Sequence, residues 1–307
     1  MAHINIVLAS NQFGVQGLAV TVRSTLEHCT CTCNIYILSS NISQLLKDKL
    51  IKSWDTDITG DIKFIDINQE IIQSFRLVHK NLRHKETYLK YFLGDLLPQE
   101  LTRCIFMDID LLVSDDLCRL NQINIDNQIM AAALDISAKD EIMSEKRQKI
   151  FGLKQPDKYF NSGLFVVNLV VWRANDTRVK LQNFVQENYS ILQAMDQDAF
   201  NVVLEDKWVE VEQRWNLSQY SSDATVEHKG IIHLIGPTKP WHADYNYKFK
   251  DVFFEVLDRT VFKDKRPRKL FGLVSLYRKI YNKAVPYDVF VRKIRKEVKK
   301  LVRLRKK

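Results

Sequence analysis

Short apolar runs alternate with longer amphipathic segments along the first half of the chain, and this alternation is the sequence feature that most constrains the fold. Five runs have the length and residue types of buried strands. They are INIVLAS, NIYILSS, IKFIDI, RCIFMDIDLLV and IMAAALD. Amphipathic segments around residues 15–28, after Ser43 and before Pro98 predict helices between them. We therefore expect an α/β fold with a mostly parallel mixed sheet flanked by helices, and ligands bound beyond the carboxyl ends of its strands.

The second half of the chain predicts fewer elements. Residues 159–173 indicate a strand that runs into a helix, residues 196–208 a short helix, and residues 230–236 one further strand. Basic amphipathic segments follow. We predict one domain over residues 1–250 and a basic helical C-terminal region over residues 251–307.

The body and the tail of the chain carry charges of opposite sign. Residues 263–307 contain 18 Lys/Arg and 3 Asp/Glu, a net charge of +15, whereas residues 1–262 have a net charge of −6. Phe290, Ile294, Val298 and Leu301 recur at helical spacing among basic residues, a pattern typical of a helix on an anionic membrane surface. A packed helix with a solvated basic face is the alternative. Nucleic-acid binding is disfavoured because the body is acidic and no known module accompanies the charge.

The N-terminus and the apolar runs bear on localisation. The first twelve residues lack a basic n-region and resemble a buried strand more than a signal peptide. No run reaches the roughly 18 apolar residues of a spanning helix. We expect a cytoplasmic protein that is peripheral at the inner face of the cytoplasmic membrane.

Five cysteines lie at positions 29, 31, 33, 104 and 118. Structural zinc sites usually use pairs spaced C-x₂₋₄-C, and a second pair is absent. An odd number of cysteines without a signal peptide is typical of a reducing compartment. We expect ordinary reduced thiols, with a zinc site as the alternative.

Several phosphate-binding and catalytic motifs are missing. The 9 glycines form no G-x-G, and the sequence contains no P-loop, H-E-x-x-H or G-x-S-x-G. A bound nucleotide diphosphate would therefore need positive charge from another source, such as a divalent cation.

Asp108-Ile109-Asp110 offers ligands for that cation. At the end of an apolar strand, two carboxylates spaced by two residues project to the same side. Hard oxygen ligands suit Mg²⁺ or Mn²⁺, and two adjacent like charges are unfavourable without a cation. A three-residue match is weak by itself, because a solvated strand end explains most such pairs.

Five segments together resemble glycosyltransferase family 8 in their order and rough spacing. They are FMDIDLLV, KYFNSGLFVVNLVVWR, MDQDAFN, the WN at 215–216 and HLIGPTKPWH. The match runs from residue 4 to about residue 245. The resemblance implies a GT-A fold, a UDP-sugar donor, a saccharide acceptor and Mn²⁺ or Mg²⁺ as cofactor.

The resemblance also implies roles for individual residues. Asp108, Asp110 and His233 match the family's metal ligands, and Gln197 and Asp196 match the segment that faces the donor sugar and the reacting centre. The positions implied to bind substrate are Ala9, Asn11, Lys90, Asp108, Ile109, Asp135, Asn161, Ser162, Gly236 and Lys239.

Two positions depart from the family pattern. Asn11 and Gln12 stand where the family usually has an acidic pair that contacts uracil and ribose. An amide still hydrogen-bonds uracil, but with different donor and acceptor roles. Lys90 replaces the family's arginine, which keeps the charge and loses the bidentate geometry.

The resemblance implies transfer of galactose or glucose with retention of anomeric configuration. The favoured acceptor is a lipid-linked glycan, the core of lipopolysaccharide or lipooligosaccharide, because a basic amphipathic tail suits a membrane-bound substrate. A protein or soluble glycan acceptor is the first alternative. A non-catalytic protein that binds anionic lipid or nucleic acid is the second.

Overall fold

A computed structural model describes residues 3–68, 70–71 and 85–267. The strands in these residues are β1 (His3–Asn11), β2 (Thr32–Ser40), β3 (Thr59–Asp66), β4 (Arg103–Met107), β5 (Leu111–Val113), β6 (Met130–Leu134), β7 (Phe160–Asn168), β8 (Trp208–Glu210), β9 (Leu217–Ser218) and β10 (Ile231–His233). Seven of these described strands form the central sheet, in the order β3-β2-β1-β4-β7-β6-β8.

Helices cover both faces of this sheet. They are α1 (Val15–His28), α2 (Gln44–Ser53), a 3₁₀-helix (Lys85–Phe92), α3 (Leu93–Leu96), α4 (Leu117–Asn121), α5 (Glu141–Phe151), α6 (Leu169–Ala174), α7 (Thr177–Asn188), α8 (Asp196–Val203) and α9 (Lys250–Asp258). One apolar cluster contains residues of α1, α2 and α9, and another contains residues of the 3₁₀-helix, α7 and α8.

The sheet is mostly parallel, as predicted. β1 pairs in parallel with β2 and β4, β2 with β3, and β6 with β8. Only β7 among the described strands of this sheet runs antiparallel to its neighbours, β4 and β6. Ile6, Val7 and Leu8 of β1 are at most 1% exposed, because helices cover a parallel sheet on both faces and its strands are apolar on both.

The prediction of one continuous strand through RCIFMDIDLLV is wrong. β4 ends at Met107, Asp108 to Asp110 form a bend, and β5 begins at Leu111 in a second sheet of order β5-β10-β9. Thr21 of α1 explains the change of direction, since its hydroxyl donates to Leu111 O (2.9 Å) and accepts from Leu111 N (3.1 Å). β5 therefore runs along α1 and leaves the central sheet.

The expectation of five reduced thiols is wrong for one pair. Cys31 and Cys118 form a disulfide, with Cα atoms 6.2 Å apart, whereas Cys29, Cys33 and Cys104 are free and buried. Asp116, the N-cap of α4, accepts hydrogen bonds from Cys118 N and Thr30 N. These contacts attach the beginning of α4 to the residues directly before β2.

The apolar core continues past residue 250. Phe253 and Leu257 of α9 and the following Phe262 are at most 3% exposed and pack in the same cluster as α1. The predicted amphipathic tail over residues 268–307 lies outside the described residues. Among the described helices, none is long and apolar enough to cross a membrane.

Candidate functional site

Asp108, Asp110 and His233 converge at the carboxyl end of β4. One ligand atom from each lies within 4.8 Å of those of the other two. Asp108 and Asp110 belong to the bend after β4, and His233 ends β10, whose antiparallel register with β5 pairs His233 with Leu111. We call these three residues the metal-candidate cluster. The structure thus brings together side chains that the sequence separates by more than a hundred positions.

Asp110 is the buried carboxylate of this cluster, at 6% exposure. His233 Nε2 lies 3.2 Å from Asp110 Oδ1, and the Lys239 ammonium forms an ion pair with Asp110 Oδ2. Lys239 also donates to Leu234 O at 2.9 Å. Burial alone would raise the pKa of Asp110, but the positive charge of Lys239 opposes it, and this pKa lies well below its ordinary value.

The pKa of Asp108 is shifted in the opposite direction. Its side chain is 32% exposed, and Lys90 Nζ lies 3.3 Å from its Oδ1. Burial raises the pKa of Asp108 above its ordinary value, Lys90 offsets only part of this effect, and the negative charge of Asp110 adds to it. A cation beside both carboxylates would favour the ionised form of Asp108.

Gly163 keeps open the space that faces Asp108 and His233. A Cβ at this position would overlap His233 Cε1 and would lie 2.9 Å from Asp108 Oδ2. Two carboxylates and an imidazole are a suitable ligand set for Mn²⁺ and an acceptable one for Mg²⁺. The residues of the metal-candidate cluster therefore fit a divalent cation.

A second charged cluster adjoins the first through Lys90, which contacts Asp108. Lys90 is fully buried and donates to Ser162 O (2.9 Å), and its Nζ lies 3.0 Å from Asp196 Oδ2. Asp196 also accepts from Thr87 Oγ1 (2.9 Å) and from Ser162 Oγ (2.8 Å). We call Thr87, Lys90, Ser162 and Asp196 the lysine-bridged cluster. Burial alone would lower the pKa of Lys90, but Asp108 and Asp196 outweigh it and keep the pKa above its ordinary value.

Gln197 forms hydrogen bonds with Asp135 and with the backbone of Ser162. Gln197 Nε2 donates to Asp135 Oδ2 (3.1 Å), and Gln197 Oε1 accepts from Ser162 N (3.2 Å). Asn161 Nδ2 donates to the same Asp135 oxygen at 3.2 Å. Burial would raise the pKa of Asp135, but hydrogen bonds from Ser137, Asn161 and Gln197 lower it overall. Asp135 is thus held as a carboxylate.

The loop after β10 carries Gly236 and Lys239. Gly236 has φ +112°, which favours glycine, and a Cβ there would overlap the Tyr220 hydroxyl. Three residues further on, the Lys239 side chain contacts Asp110. The predicted diphosphate-contacting residues therefore lie beside the metal-candidate cluster.

The predicted nucleotide positions lie at the same edge of the sheet. Ala9 and Asn11 are in the last part of β1, which pairs with β4. Asn11 Oδ1 accepts from Phe13 N at 2.9 Å, which shapes the turn into α1. A Cβ at Gly14 would overlap Ile109 Cδ1, so Ile109 packs over the beginning of α1.

Asn216 is a polar residue for which the sequence predicted no role. It is 3% exposed, and its amide contacts His233 Nδ1 and Asn161 Oδ1, both at 3.0 Å. The WN at 215–216 belongs to the resemblance described above, but only β9, which follows it and pairs with β10, places the amide beside the imidazole.

The chain is similar in sequence to a known protein family and to individual relatives. The family model described as "Glycosyl transferase family 8" matches residues 5–245. General stress protein A of Bacillus subtilis (strain 168) is 27% identical over 65% of this chain and 73% of its own length. Lipopolysaccharide 1,2-glucosyltransferase of Escherichia coli (strain K12) is 25% identical over 61% of this chain and 58% of its own length.

A solved structure shares the fold. The crystal structure of the galactosyltransferase LgtC with donor and acceptor sugar analogues superposes with a TM-score of 0.74 at 24% identity. The match covers 85% of this chain and 100% of that chain. At this identity the likeness supports the fold, and the predicted GT-A architecture is confirmed.

Proposed function

The chain belongs to glycosyltransferase family 8, and from this premise we propose that it transfers galactose or glucose from a UDP-sugar to a saccharide acceptor, with Mn²⁺ or Mg²⁺ as cofactor. The observation that carries the proposal is the convergence of Asp108, Asp110 and His233 within 4.8 Å. A bound nucleotide diphosphate would need such a site, because the sequence has no glycine-rich phosphate loop.

The proposed chemistry follows from the charges around the site. Asp108, Asp110 and His233 would hold the cation, which supplies positive charge against the diphosphate when it is bound. Lys239 adds a second positive charge and lies beside Asp110. Stabilisation of the departing UDP by these charges is the electrostatic contribution that usually dominates such reactions.

We also propose that the anomeric configuration is retained through attack from the front face. Retention by double displacement needs a nucleophilic carboxylate close to the anomeric carbon. Gln197 is an amide, and both of its polar atoms bond to Ser162 and Asp135. In the front-face reaction, the acceptor hydroxyl oxygen bonds to the anomeric carbon while the bond from this carbon to UDP breaks. A diphosphate oxygen of the departing UDP accepts the hydroxyl proton. A trapped covalent adduct between sugar and enzyme would contradict this proposal.

Substrate binding is proposed for the residues at the same sheet edge. Ala9, Asn11 and Ile109 would contact the nucleotide, with the Asn11 amide hydrogen-bonding uracil. Asn161, Ser162 and Asp135 would border the donor sugar, and Gly236 would let its backbone approach the diphosphate.

For the acceptor we propose the core of lipopolysaccharide or lipooligosaccharide, reached at the inner face of the cytoplasmic membrane. Two observations support this choice. One relative is named a lipopolysaccharide glucosyltransferase, and residues 263–307 carry a net charge of +15. Each basic residue near an anionic leaflet contributes about 1 kcal/mol to binding. Because the described core extends to Phe262, we propose that the membrane-binding tail begins after it.

Release of UDP from a panel of nucleotide sugars, with and without Mn²⁺, tests the activity. We expect Mn²⁺-dependent release from UDP-galactose or UDP-glucose, and loss of release in Asp110→Asn. Asp57→Asn, which removes an exposed carboxylate between α2 and β3, is the matched control and should retain full activity. Full activity of Asp110→Asn, or no release from any UDP-hexose, would contradict the proposal.

Cosedimentation with vesicles tests the tail. The full chain should bind vesicles that contain anionic lipid and should not bind zwitterionic vesicles. A chain that lacks residues 263–307 should lose vesicle binding and keep UDP release. Retained binding would instead favour the packed basic helix, and transfer only to a soluble glycan or protein would favour the alternative acceptors.

A further inference from the structure

His233 is held by a buried amide on the side away from Asp110. His233 Nδ1 lies 3.0 Å from Asn216 Oδ1, and Asn216 Nδ2 lies 3.0 Å from Asn161 Oδ1. His233 is 5% exposed and Asn216 is 3% exposed. We call the two side-chain amides of Asn161 and Asn216 the amide relay. It runs from Asp135 to His233 through one hydrogen bond at each step.

The direction of every hydrogen bond in the amide relay is fixed at its far end. Gly163 N is a backbone donor, and it lies 3.0 Å from Asn161 Oδ1, so this atom must be the amide oxygen. Asp135 is a carboxylate, which accepts the Asn161 Nδ2 hydrogen at 3.2 Å. Both neighbours therefore require the same orientation of the Asn161 amide.

This orientation determines the tautomer of His233. Because Asn161 presents its oxygen, Asn216 must donate with Nδ2 and turn its own oxygen toward the imidazole. An amide oxygen can only accept, so His233 Nδ1 carries a hydrogen. In the neutral ring, Nε2 then has a free lone pair, and it points at Asp110 Oδ1 at a distance of 3.2 Å. In that neutral ring two acceptors face each other, an arrangement that a positive charge between them stabilises, whether a proton or a metal cation.

We propose that Asn216 is a positioning residue, which fixes His233 as the Nδ1–H tautomer so that Nε2 is available to a divalent cation. The proposal rests on the metal site of the proposed function. Partners that orient a metal-ligating imidazole typically change metal affinity by about 10- to 100-fold when they are removed. Asp135 also accepts from Gln197, so the amide relay links the predicted reacting centre to the metal ligands.

The tautomer itself can be measured in the full chain without metal. Two-dimensional ¹⁵N NMR distinguishes the Nδ1–H from the Nε2–H ring, and comparison with His233→Gln assigns the signal. At a pH at which the ring is neutral, wild type should show Nδ1–H. Asn216→Leu, which has a similar shape and no hydrogen-bonding atoms, should lose this preference. Asn216→Asp loses the hydrogen bond to Asn161 Oδ1 but keeps an acceptor oxygen for His233 Nδ1, and it should restore the preference. An Nε2–H ring in the wild-type chain would overturn the proposal.

Metal affinity is the second readout. Direct titration with Mn²⁺, followed by electron paramagnetic resonance of the free ion, should show about 10- to 100-fold weaker binding for Asn216→Leu and less than about tenfold for Asn216→Asp. The matched control is Asn168→Leu, because the Asn168 amide bonds to Ile125 O, Asp126 O and Val171 N, outside the amide relay and the metal-candidate cluster. The control should bind Mn²⁺ as wild type does, even if it is less stable.

These outcomes separate the inference from the proposed function. If Asn216→Leu bound Mn²⁺ as tightly as wild type, the positioning role would be overturned, whether or not the enzyme releases UDP from nucleotide sugars. An Nδ1–H ring in wild type and weakened Mn²⁺ binding in Asn216→Leu would support the positioning role. If wild type then released no UDP from any sugar nucleotide, the transferase reaction would be contradicted and the positioning role would stand.

Discussion

The lysine-bridged cluster and the metal-candidate cluster use similar groups in opposite ways. Both lie beyond the carboxyl end of β4, and in both a carboxylate contacts a lysine: Asp196 contacts Lys90, and Asp110 contacts the neighbouring Lys239. In the first, the buried Lys90 ammonium contacts Asp196, and Thr87 and Ser162 satisfy the remaining oxygens. In the second, Asp108 is 32% exposed and two carboxylates and an imidazole face a common space.

The difference concerns how far each cluster is satisfied without a ligand. The protein itself neutralises and hydrogen-bonds Asp196, so that cluster is complete without a ligand. In the metal-candidate cluster, Lys90 and Lys239 each contact one carboxylate. The two carboxylates and the imidazole still face a common space, which a bound cation would stabilise further. We therefore expect substitutions in the lysine-bridged cluster to affect stability first, and substitutions in the metal-candidate cluster to affect metal binding first.

The largest effect is expected for Lys90→Met, which keeps the apolar stem and removes the buried ammonium. Loss of one partner of a buried ion pair typically costs about 3–5 kcal/mol, and Asp196 is 4% exposed. Urea unfolding should show a loss of this size. The matched substitution Lys239→Met removes a lysine that is 22% exposed and should destabilise the fold less. Equal losses in the two variants would contradict the distinction between the clusters.

A smaller effect on stability is expected for Gly163→Ala. Gly163 lies in the extended strand β7, so the strain comes from the overlap of the new Cβ with His233, about 1–3 kcal/mol. Mn²⁺ at a hundred times its dissociation constant stabilises a binding protein by about 2.7 kcal/mol, and the variant should lose this stabilisation at the same concentration.

Gly152→Ala is the control for that measurement. A Cβ at Gly152 meets no atom within 4 Å, but its φ is +70°, so the expected cost is only the backbone strain of about 1–2 kcal/mol. Thermal unfolding of Gly152→Ala should still respond to Mn²⁺. An undiminished Mn²⁺ response of Gly163→Ala would contradict the placement of the cation beside this glycine.

The smallest effect is expected for the pH dependence of Asp135→Asn. The pKa of Asp135 is lower in the folded chain than in the unfolded chain, where an aspartate titrates at about 3.9. The carboxylate therefore stabilises the fold above that pH, and this stabilisation is lost as the pH falls through the folded pKa. The free energy of unfolding should fall more steeply in acid for wild type than for Asp135→Asn. Parallel curves would contradict the role of Asp135 as a carboxylate anchored by the amide relay.

Much of the fold was predictable because the hydrophobic pattern determines it. The runs around β1, β2 and β6 are apolar enough to be buried on both faces, and the structure buries most of their residues. The run around β3 lies at the edge of the sheet and is only half-buried. The break between β4 and β5 was missed because RCIFMDIDLLV has the composition of one strand. The break depends on Thr21 of α1, a contact across 90 positions, which no local pattern reveals.

For the site, the sequence predicted the types of residue but not their hydrogen-bond and ion-pair partners. The sequence by itself determined a parallel α/β sheet, a pair of acids at a strand end and a histidine in a later strand, because periodicity and composition are local properties. Only the tertiary structure decided that β5 pairs with β10, that Lys90 is buried between Asp108 and Asp196, and that Asn216 holds His233. Hydrogen bonds and ion pairs act over a few ångströms in space, and the folded sheets alone bring such distant positions within that distance.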